Sequence, residues 1–423
     1  MDKTHNQTDV LIIGAGLAGL SAGKELKEKE IDYTIIEATD RPGGKVWSYE
    51  SQKGNRFFEM GAQFVNQDMT EIVRLIEESG MTLEKTSDSF HSVQIDSVKK
   101  RPVDNLIKEA QMVFETMDLE KDKPLSQLYG DITEEWRKKV LRSSLTEMLN
   151  VNVNHISSIG IAAIMESYHS EEDDMTHQSS GPLKNVITYL EGLSKESIRY
   201  KDPLQSVKHT DEGYRVKTES GQVYEAGAVI LAIPPTVASR LDLSEDLTQH
   251  YLPLLESYTD GAIIKQTLVY KKPFWHGIFK DEKRVNGIIY TDSIGFTVSE
   301  TTTETSEPRL TLFIGGDKAK ELAVLTREQR DVYVMSRLVE VLGVKAQQYV
   351  EWNEDIWVDH PFYGGGYGAK VLYGKDPYAA KKLSKAFGKC IFANTEVAPA
   401  FKNFMEGAIR SGQFAAKEIS RLL

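Results

Sequence analysis

The spacing of the hydrophobic residues near the N-terminus is first that of a strand, then that of a helix, and then that of a strand again. Val10 to Ile13 form a continuous apolar run, which predicts a buried strand over residues 9–14. Residues 17–29 carry apolar side chains at helical spacing, and residues 32–37 again predict a strand. A strand, a helix and a strand in this order predict the beginning of a parallel βαβ unit.

A second segment of the same character begins near residue 182. It predicts a helix over residues 182–193 and then four short strands, two of which are separated by the turn residues Asp211, Glu212 and Gly213. The four strands are predicted at residues 197–200, 205–210, 214–219 and 228–233. A third segment, residues 390–423, predicts a strand followed by a long amphipathic helix.

The stretches between these segments follow other patterns. Residues 76–181 are predicted to be mostly helical, whereas residues 263–385 mix strands at 262–270 and 309–315 with a helix at 327–342. We therefore predict two domains. An α/β domain is built from residues 1–75, 182–262 and 386–423, and an interleaved α+β domain is built from residues 76–181 and 263–385.

Composition and charge narrow the class of protein. The 423 residues carry a formal net charge of −12, so no basic surface indicates nucleic acid as a partner. No apolar stretch approaches the roughly 20 residues of a membrane span. Cys390 is the only cysteine, which excludes a disulfide within the chain. We expect a cytoplasmic protein without a membrane partner, and a homodimer is one assembly that the sequence allows.

His169 and His177 enclose four acidic residues at positions 171–174, an arrangement that a metal site can use. Nothing in the sequence fixes the geometry of these side chains. We therefore interpret the segment as an exposed acidic loop and predict that the protein holds no metal.

The strongest local motif is a glycine-rich turn between the first strand and the first helix. Gly14, Gly16 and Gly19 have the spacing of a dinucleotide-binding turn. The first glycine permits a tight turn, the second lets the backbone approach a pyrophosphate, and the third lets helix and strand pack closely. Glu37 ends the second strand, where a carboxylate accepts hydrogen bonds from a ribose hydroxyl and repels the extra phosphate of NADP.

A second pair of glycines follows Glu37 and makes the motif more specific. The run from Glu37 through Arg41 to Gly43, Gly44 and Lys45 resembles the E-x-x-x-R-x-G-G-R signature of the flavin amine-oxidase superfamily, which includes monoamine and polyamine oxidases. The resemblance covers nearly the whole chain. Its further blocks lie at residues 59–64, 229–235, 265–275, 357–367 and 391–412.

The resemblance implies a Rossmann-like FAD-binding domain of the glutathione-reductase and amine-oxidase type. It assigns residues 61–64 to the isoalloxazine and the backbone of the strand at Leu204 and Val207 to the adenine. The final helix begins at Met405, and its positive dipole end would face the flavin carbonyl edge. The implied cofactor residues are Gly14, Gly16, Leu17, Ala18, Gly19, Glu37, Ala38, Arg41, Gly43, Gly44, Lys45, Gly61, Ala62, Gln63, Phe64, Leu204, Val207, Trp357, Thr395, Glu396 and Met405.

Three residues match the catalytic positions of this superfamily. Lys265 matches the lysine that holds a water near flavin N5. Tyr367 and Phe404 match the paired aromatic side chains that face each other above the flavin and align the amine. Without the resemblance, we would interpret both aromatic residues as core.

The sequence departs from the family pattern at three positions. Gly366 stands where the mitochondrial monoamine oxidases carry the cysteine that bonds the flavin, so we expect FAD to be held without a covalent bond. Lys45 replaces an arginine and loses its bidentate fork. Asn394 replaces a glycine, and we expect it to preserve a turn because asparagine tolerates positive φ.

The resemblance therefore implies an FAD-dependent oxidase of primary or secondary amines. A hydride equivalent would pass from the amine α-carbon to flavin N5, water would hydrolyse the imine to a carbonyl compound, and O₂ would become H₂O₂. The expected partners are thus a small amine and O₂. Three alternatives remain: an L-amino-acid oxidase on the same fold, a polyene or porphyrinogen desaturase, and a flavin-binding protein without turnover.

Phe64 favours the amine over the amino acid. Amino-acid oxidases of this superfamily carry an arginine at this position to bind the substrate carboxylate. Arg56 and Arg410 lie nearby in the sequence, but neither matches a known carboxylate role.

Overall fold

The N-terminal βαβ unit forms where the hydrophobic pattern predicts it. The computed structural model of the chain describes residues 6–51, 53–54, 56–86, 92–103, 120–130, 132–172, 175–278 and 284–423. The strand Gln7–Ile13 pairs in parallel with Tyr33–Ile36, and the helix Leu17–Glu28 connects them. The predicted limits of all three elements differ from the observed ones by one or two residues.

An eight-stranded sheet grows from this unit. The strand Val223–Leu231 pairs in parallel with Gln7–Ile13 on one side and has two partners on the other side. Its first half pairs with the antiparallel strand Gly213–Thr218, and its last residues pair in parallel with Cys390–Phe392. The predicted strand over residues 228–233 is therefore the second half of a longer one. Apart from Cys390–Phe392, the sheet runs in the order Ile198–Arg199, Tyr33–Ile36, Gln7–Ile13, Val223–Leu231, Gly213–Thr218, Leu204–Thr210 and Asp242–Leu243.

The second large sheet of the protein has seven strands and is mostly antiparallel. Its central strands Ile263–Tyr270 and Arg309–Gly315 are buried along their whole length. The helix Arg327–Leu342 belongs to the core that covers them, and a capping box between Thr326 and Gln329 begins this helix. The strand order is Tyr349–Trp357, Ile263–Tyr270, Arg309–Gly315, Phe296–Glu300, Arg284–Tyr290, Ser92–Asp96 and Arg101–Pro102.

The remaining elements are small sheets and helices. The hairpin Ser48–Glu50 with Phe57–Glu59, the set Phe64–Val65, His177–Ser179 and Leu83–Lys85, and the pair Tyr258–Thr259 with Lys370–Val371 complete the strands. The helices of the described residues are Leu17–Glu28, Thr70–Glu78, Glu135–Leu149, Ser158–Glu166, Lys184–Ser194, Pro235–Ala238, Glu245–Leu255, Gly316–Ala323, Arg327–Leu342, Ala379–Leu383 and Met405–Leu422. None of them is long and apolar enough to cross a membrane.

The last helix, Met405–Leu422, packs directly on the first one. A Cβ at Gly412 would lie 2.0 Å from the backbone oxygen of Ala18, so only glycine allows this approach. Glu406 is fully buried at the start of the last helix, and its carboxylate accepts hydrogen bonds from the backbone N–H groups of Glu71 and Ile72. Glu406 thereby caps the helix Thr70–Glu78 from a distant part of the chain.

The prediction that residues 76–181 are mostly helical is wrong in part. Besides the helices Glu135–Leu149 and Ser158–Glu166, this region contributes short strands to two sheets. Ser92–Asp96 pairs with Arg284–Tyr290, and His177–Ser179 pairs with Phe64–Val65. Strands of three to five residues have too little local periodicity to be recognised when their partners are distant in sequence.

The strands of the two large sheets come from different parts of the chain. All strands of the eight-stranded sheet lie within residues 1–75, 182–262 and 386–423. All strands of the seven-stranded sheet lie within residues 76–181 and 263–385. The exact boundaries of the two domains stay a prediction.

Candidate active site

One cavity extends from the eight-stranded sheet to the seven-stranded sheet. Its volume is about 2740 Å³, and its lining runs from the glycine turn at Gly14 to Glu147 and Thr297. Pockets for a single drug-sized ligand measure roughly 300–1,000 Å³. This cavity therefore has room for a large cofactor and a substrate together.

The glycine turn has the geometry that a pyrophosphate needs. Gly14 has a φ of +102°, and a Cβ there would lie 2.6 Å from the backbone oxygen of Ala232. A Cβ at Gly19 would lie 1.9 Å from the oxygen of Gly14, whereas a Cβ at Gly16 would meet nothing within 4 Å. Gly16 thus presents bare backbone to open cavity, and the helix that begins at Leu17 points its free N–H groups the same way.

The second glycine pair closes against the first. Gly43 forms a parallel bridge with Gly16 and donates a backbone hydrogen bond of 2.8 Å to Ala15. Arg41 donates to the carbonyl of Gly44 at 3.0 Å and stacks on Trp47, with 4.5 Å between Cζ and the ring centroid. Arg41 therefore stiffens this turn and is not among the residues that line the cavity.

Glu37 lies at the edge of the cavity with its carboxylate oriented by the chain. Oε2 accepts a hydrogen bond from Ala15 N at 2.8 Å, and Oε1 accepts from Thr39 N at 2.9 Å. A carboxylate has about four lone-pair sites, so acceptor capacity remains for ribose hydroxyls. The residues of this end of the cavity fit a dinucleotide.

Lys265 lies at the centre of the cavity wall, on the strand Ile263–Tyr270. Its side chain is 3% exposed, and Nζ donates a hydrogen bond of 2.9 Å to the carbonyl of Gly61. Burial lowers the pKa of Lys265, and the nearby carboxylates of Glu59 and Asp355 oppose this effect. Nζ also lies 5.7 Å from the ring centroid of Phe313.

Glu59 is the buried counterpart of Lys265. Burial raises the pKa of Glu59, and hydrogen bonds from Leu183 N at 2.7 Å and Ser48 Oγ at 2.8 Å stabilise its ionised form. The charges of Lys265 and Arg309 act in the same direction. Glu59 thus helps to keep a cation in a site that would otherwise expel it.

Tyr367 is held in a strained loop. Its φ of +47° lies in the left-handed region, which is costly for a non-glycine residue and is found most often at functional sites. Lys45 Nζ donates to the Tyr367 carbonyl at 2.7 Å, and Glu396 accepts from Ala369 N at 2.9 Å. Burial lowers the pKa of Lys45. Lys45 therefore bonds to this loop through a single donor.

The glycines before Tyr367 are required by close packing. A Cβ at Gly365 would lie 1.4 Å from the oxygen of Gly261, and a Cβ at Gly366 would lie 2.0 Å from Ile263 Cγ2. A side chain at Gly366 would therefore require Ile263 to move. Cys390 is buried in the strand Cys390–Phe392 and is not among the residues that line the cavity.

Phe404 and Met405 close the cavity from the side of the last helix. The Phe404 ring packs on Tyr168, with 5.2 Å between centroids, and Thr395 Oγ1 donates to the Phe404 carbonyl at 3.0 Å. Asn394 has an extended backbone, with a φ of −149°, so the expectation of a positive-φ turn is wrong. Its side chain instead accepts from Val397 N and donates to the Ile233 carbonyl.

The structure brings nearly all of the predicted site residues to this one cavity. Of the implied cofactor and catalytic residues, only Gly19, Arg41 and Val207 are not in its lining. Gly19 packs against Gly14, and Val207 is fully buried in the core of the eight-stranded sheet. Their assigned contacts with a cofactor stay predictions, as does the parallel arrangement of the Tyr367 and Phe404 rings.

The arginines that could bind a substrate carboxylate are engaged elsewhere. Arg56 pairs with Glu307 at 2.7 Å and with Glu351 at 2.9 Å, and Arg410 pairs with Glu406 at 2.7 Å. Phe64 lies in the lining, within the aromatic cluster that also contains Tyr367. Arg240 is the only arginine in the lining within the described part of the chain, and it donates to the Pro361 carbonyl.

The acidic segment near His169 is less exposed than predicted. Glu172 is half-buried and accepts hydrogen bonds from Gln67 N at 2.9 Å and Thr176 Oγ1 at 3.1 Å, while His177 is buried in a strand. Positions 173 and 174 lie outside the described residues. No group of three or more metal-ligating side chains occurs among the residues that are described.

Sequence reasoning missed several charged residues of the cavity, and two of them, Glu147 and Lys370, have strongly shifted pKa values. Glu147 projects from the helix Glu135–Leu149, and burial raises its pKa to about 7. Lys370 is 1% exposed, donates to the Gly368 carbonyl at 2.7 Å, and has its pKa lowered to about 7 by burial. Lys370 follows Gly368 by two residues and lies close to the glycine block, which is a usable signal, whereas nothing local distinguishes Glu147 from its helical neighbours.

Comparison with known proteins identifies the family. The model of the family described as "Flavin containing amine oxidoreductase" matches residues 17–420. The chain is 27% identical to flavin-containing amine oxidase A of Canis lupus familiaris, covering 98% of this chain and 85% of that protein. It is 26% identical to flavin-containing amine oxidase B of Homo sapiens, covering 98% and 86%.

Solved structures share the fold. Cyclohexylamine oxidase from Brevibacterium oxydans superposes with a TM-score of 0.86 at 19% identity, covering 98% of this chain and 99% of that one. Putrescine oxidase bound to putrescine superposes with a TM-score of 0.84 at 23% identity and the same coverage. The chain therefore belongs to the flavin-containing amine oxidoreductase family, and it is a flavin-dependent oxidoreductase.

Proposed function

We propose that the protein is an oxidase of primary or secondary amines that binds FAD without a covalent bond. One observation carries the proposal: the dinucleotide turn at Gly14 and the side chains of Lys265, Tyr367 and Phe404 line a single continuous cavity. The glycine turn and Glu37 are suited to the adenosine and pyrophosphate end of FAD, which FMN lacks. Gly366 offers no atom for a thioether.

The bound flavin would accept a hydride equivalent from the α-carbon of the neutral amine, leaving an imine that water hydrolyses, and O₂ would reoxidise it with formation of H₂O₂. Tyr367 and Phe404 would orient the amine, because two aromatic walls restrict its rotation and attract cationic character. Lys265 uses one N–H for the Gly61 carbonyl and keeps further donors for a water molecule. Lys45 would hold Tyr367 in place through its carbonyl.

The substrate is proposed to lack an α-carboxylate. A carboxylate in this cavity would need a cation that is free to pair with it, and burying it unpaired would cost several kcal/mol. Phe64 occupies the expected arginine position, and Arg56 and Arg410 are paired with glutamates.

Anaerobic flavin reduction with paired substrates tests the substrate class. We expect phenethylamine and tryptamine to bleach the flavin at least about tenfold faster than phenylalanine and tryptophan, with H₂O₂ formed in air. Faster reduction by the amino acids at saturation would replace this proposal with the amino-acid oxidase. Bleaching by none of these amines, and by none of the linear alkylamines and diamines tested below, would reject the oxidase itself.

Acid precipitation tests how the flavin is held. We expect all of the yellow colour in the supernatant, with the chromatographic mobility of FAD. Flavin that stays with the washed pellet would contradict the non-covalent site.

A further inference from the structure

Glu147 is a carboxylate that the proposed reaction does not use. It projects into the cavity from the helix Glu135–Leu149 and accepts hydrogen bonds from the side chains of Thr297 and Tyr367. Within the described part of the chain, no Lys, Arg or His nitrogen forms an ion pair with it. The same cavity lining contains the apolar side chains of Leu141, Leu145, Met148 and Ile289.

Two fully enclosed carboxylates of the molecule, Glu300 and Glu406, are compensated more fully than the half-buried Glu147. Glu300 accepts from Trp275 Nε1 at 2.7 Å and pairs with His276 Nε2 at 2.9 Å. Glu406 accepts from two backbone N–H groups and pairs with Arg410. Among the described residues, Glu147 has two neutral donors and no cation, so a cationic ligand would supply the missing charge.

The reacting nitrogen is a poor partner for this carboxylate. Loss of a hydride from the α-carbon requires the nitrogen lone pair, so that nitrogen has to be neutral. A carboxylate beside it would stabilise the ammonium form instead. A second nitrogen, remote from the reacting carbon, stays protonated at neutral pH and is the partner that a carboxylate favours.

The position of Glu147 suits such a remote group. The Tyr367 side chain bonds to Glu147, while the Tyr367 carbonyl is fixed by Lys45 at the other end of the residue. The carboxylate therefore lies at the side-chain end of Tyr367, and Lys45 lies at its backbone end. Phe64, Phe313 and Phe404 line the same cavity, and apolar and aromatic walls suit an alkyl chain.

The mouth of the cavity is acidic as well. Four exposed carboxylates belong to its lining, Glu166, Glu171, Glu219 and Glu304, against the exposed cations Lys85 and Arg240. A lining with this excess of carboxylates attracts cations and raises their rate of entry.

We propose that Glu147 binds the distal ammonium of a linear diamine, so that the enzyme oxidises α,ω-diaminoalkanes in preference to alkylamines of the same length. This inference rests on the proposed amine oxidation and names its substrate class. Glu147 is a specificity-determining residue in this assignment, and Tyr367 and Thr297 orient its carboxylate.

The test compares matched substrates on three forms of the flavin-loaded enzyme: wild type, Glu147→Gln, and Glu135→Gln as the control. Glu135 is exposed on the same helix, so its substitution removes the same charge outside the cavity. The substrates are 1,4-diaminobutane, 1,5-diaminopentane and 1,6-diaminohexane, each paired with the corresponding alkylamine. Stopped-flow reduction without oxygen gives the limiting rate and the Kd of each.

For the wild-type enzyme, we expect the ratio of limiting rate to Kd to be about tenfold to a hundredfold higher for the best diamine than for the matching alkylamine. This difference corresponds to one hydrogen bond between charged groups. Glu147→Gln should bring this ratio close to one, chiefly through the Kd of the diamine, and Glu135→Gln should leave the ratio unchanged. If the Gln variant loses its flavin, Glu147→Asp carries the test and should shift the optimum to a longer diamine.

Two results would overturn the assignment. One is a wild-type enzyme that reduces its flavin equally well with both members of every pair, and the other is an unchanged ratio in Glu147→Gln and Glu147→Asp. These results leave amine oxidation intact. Failure of every amine to bleach the flavin would instead reject the proposed function, and this inference with it.

Discussion

The two ends of the cavity are built in different ways. At the dinucleotide end, the backbone of Gly14, Gly16, Gly43 and Gly44 forms the wall, because these residues have no side chain. At the substrate end, Glu147, Thr297 and Tyr367 meet from three elements that are distant in sequence. Backbone recognition depends on local conformation, whereas side-chain recognition depends on how elements pack.

This difference has consequences for substitution. A methyl group added at the dinucleotide end meets either backbone or the space that a cofactor would fill. A change at the substrate end alters charge or shape without changing the course of the chain. The first end should therefore respond with loss of the cofactor or of the fold, and the second with changes of rate and specificity.

The largest expected effect concerns Gly19 and Gly16. Gly19→Ala places Cβ 1.9 Å from the Gly14 oxygen, so we expect unfolding or loss of flavin. Gly16→Ala meets no atom within 4 Å and has an ordinary φ of −73°, so the flavin-free protein should keep its stability within about 0.5 kcal/mol. Its affinity for FAD should nevertheless fall by about tenfold or more, because the methyl group points into the cavity.

Flavin absorbance after purification and thermal unfolding of the flavin-free proteins measure these effects. Gly192→Ala is the matched control, since its Cβ also meets nothing and Gly192 lies in the helix Lys184–Ser194, outside the cavity lining. A Gly16→Ala protein with a full complement of flavin would show that this turn does not face the cofactor.

The second-largest expected effect concerns Lys265, which lies in the lining between the dinucleotide end and the substrate end of the cavity. Lys265→Met keeps the bulk of the side chain and removes the ammonium that donates to Gly61. We expect flavin to stay bound while one half-reaction slows by about tenfold or more, because a positioned donor is lost near the reacting atoms. Lys271→Met, on the exposed end of the following turn, is the control. Stopped-flow traces of both half-reactions that match wild type would leave Lys265 with a structural role only.

The smallest effect concerns Lys45 and the strained loop. Lys45→Met removes the donor to the Tyr367 carbonyl, so Tyr367 can relax from its φ of +47°. We expect the rate of flavin reduction to fall by about three- to tenfold, which corresponds to one hydrogen bond. Lys45→Arg retains a donor and should recover most of the rate. Equal rates in Lys45→Met and wild type would show that the flanking glycines and Glu396 hold the loop without Lys45.

The sequence predicted the parts of the fold that repeat a local pattern. The βαβ unit, the helix Arg327–Leu342 and the long C-terminal helix all appear within a few residues of their predicted limits. The short strands of residues 76–181 did not show in the pattern, because Ser92–Asp96 and His177–Ser179 exist only through pairing with distant partners. Asn394 was misinterpreted for a related reason: its side chain bonds to Ile233, which no local motif indicates.

The candidate site divides in the same way. Gly14, Gly16, Glu37, Lys265 and Tyr367 could be named from the sequence, because each belongs to a block whose chemistry depends on short-range spacing. Only the tertiary structure decided that Glu147 faces the cavity with no cationic partner among the described residues, and that a side chain at Gly366 would meet Ile263. The pairing of a charge and the filling of a space depend on how distant elements pack against each other. Local sequence patterns do not predict this packing.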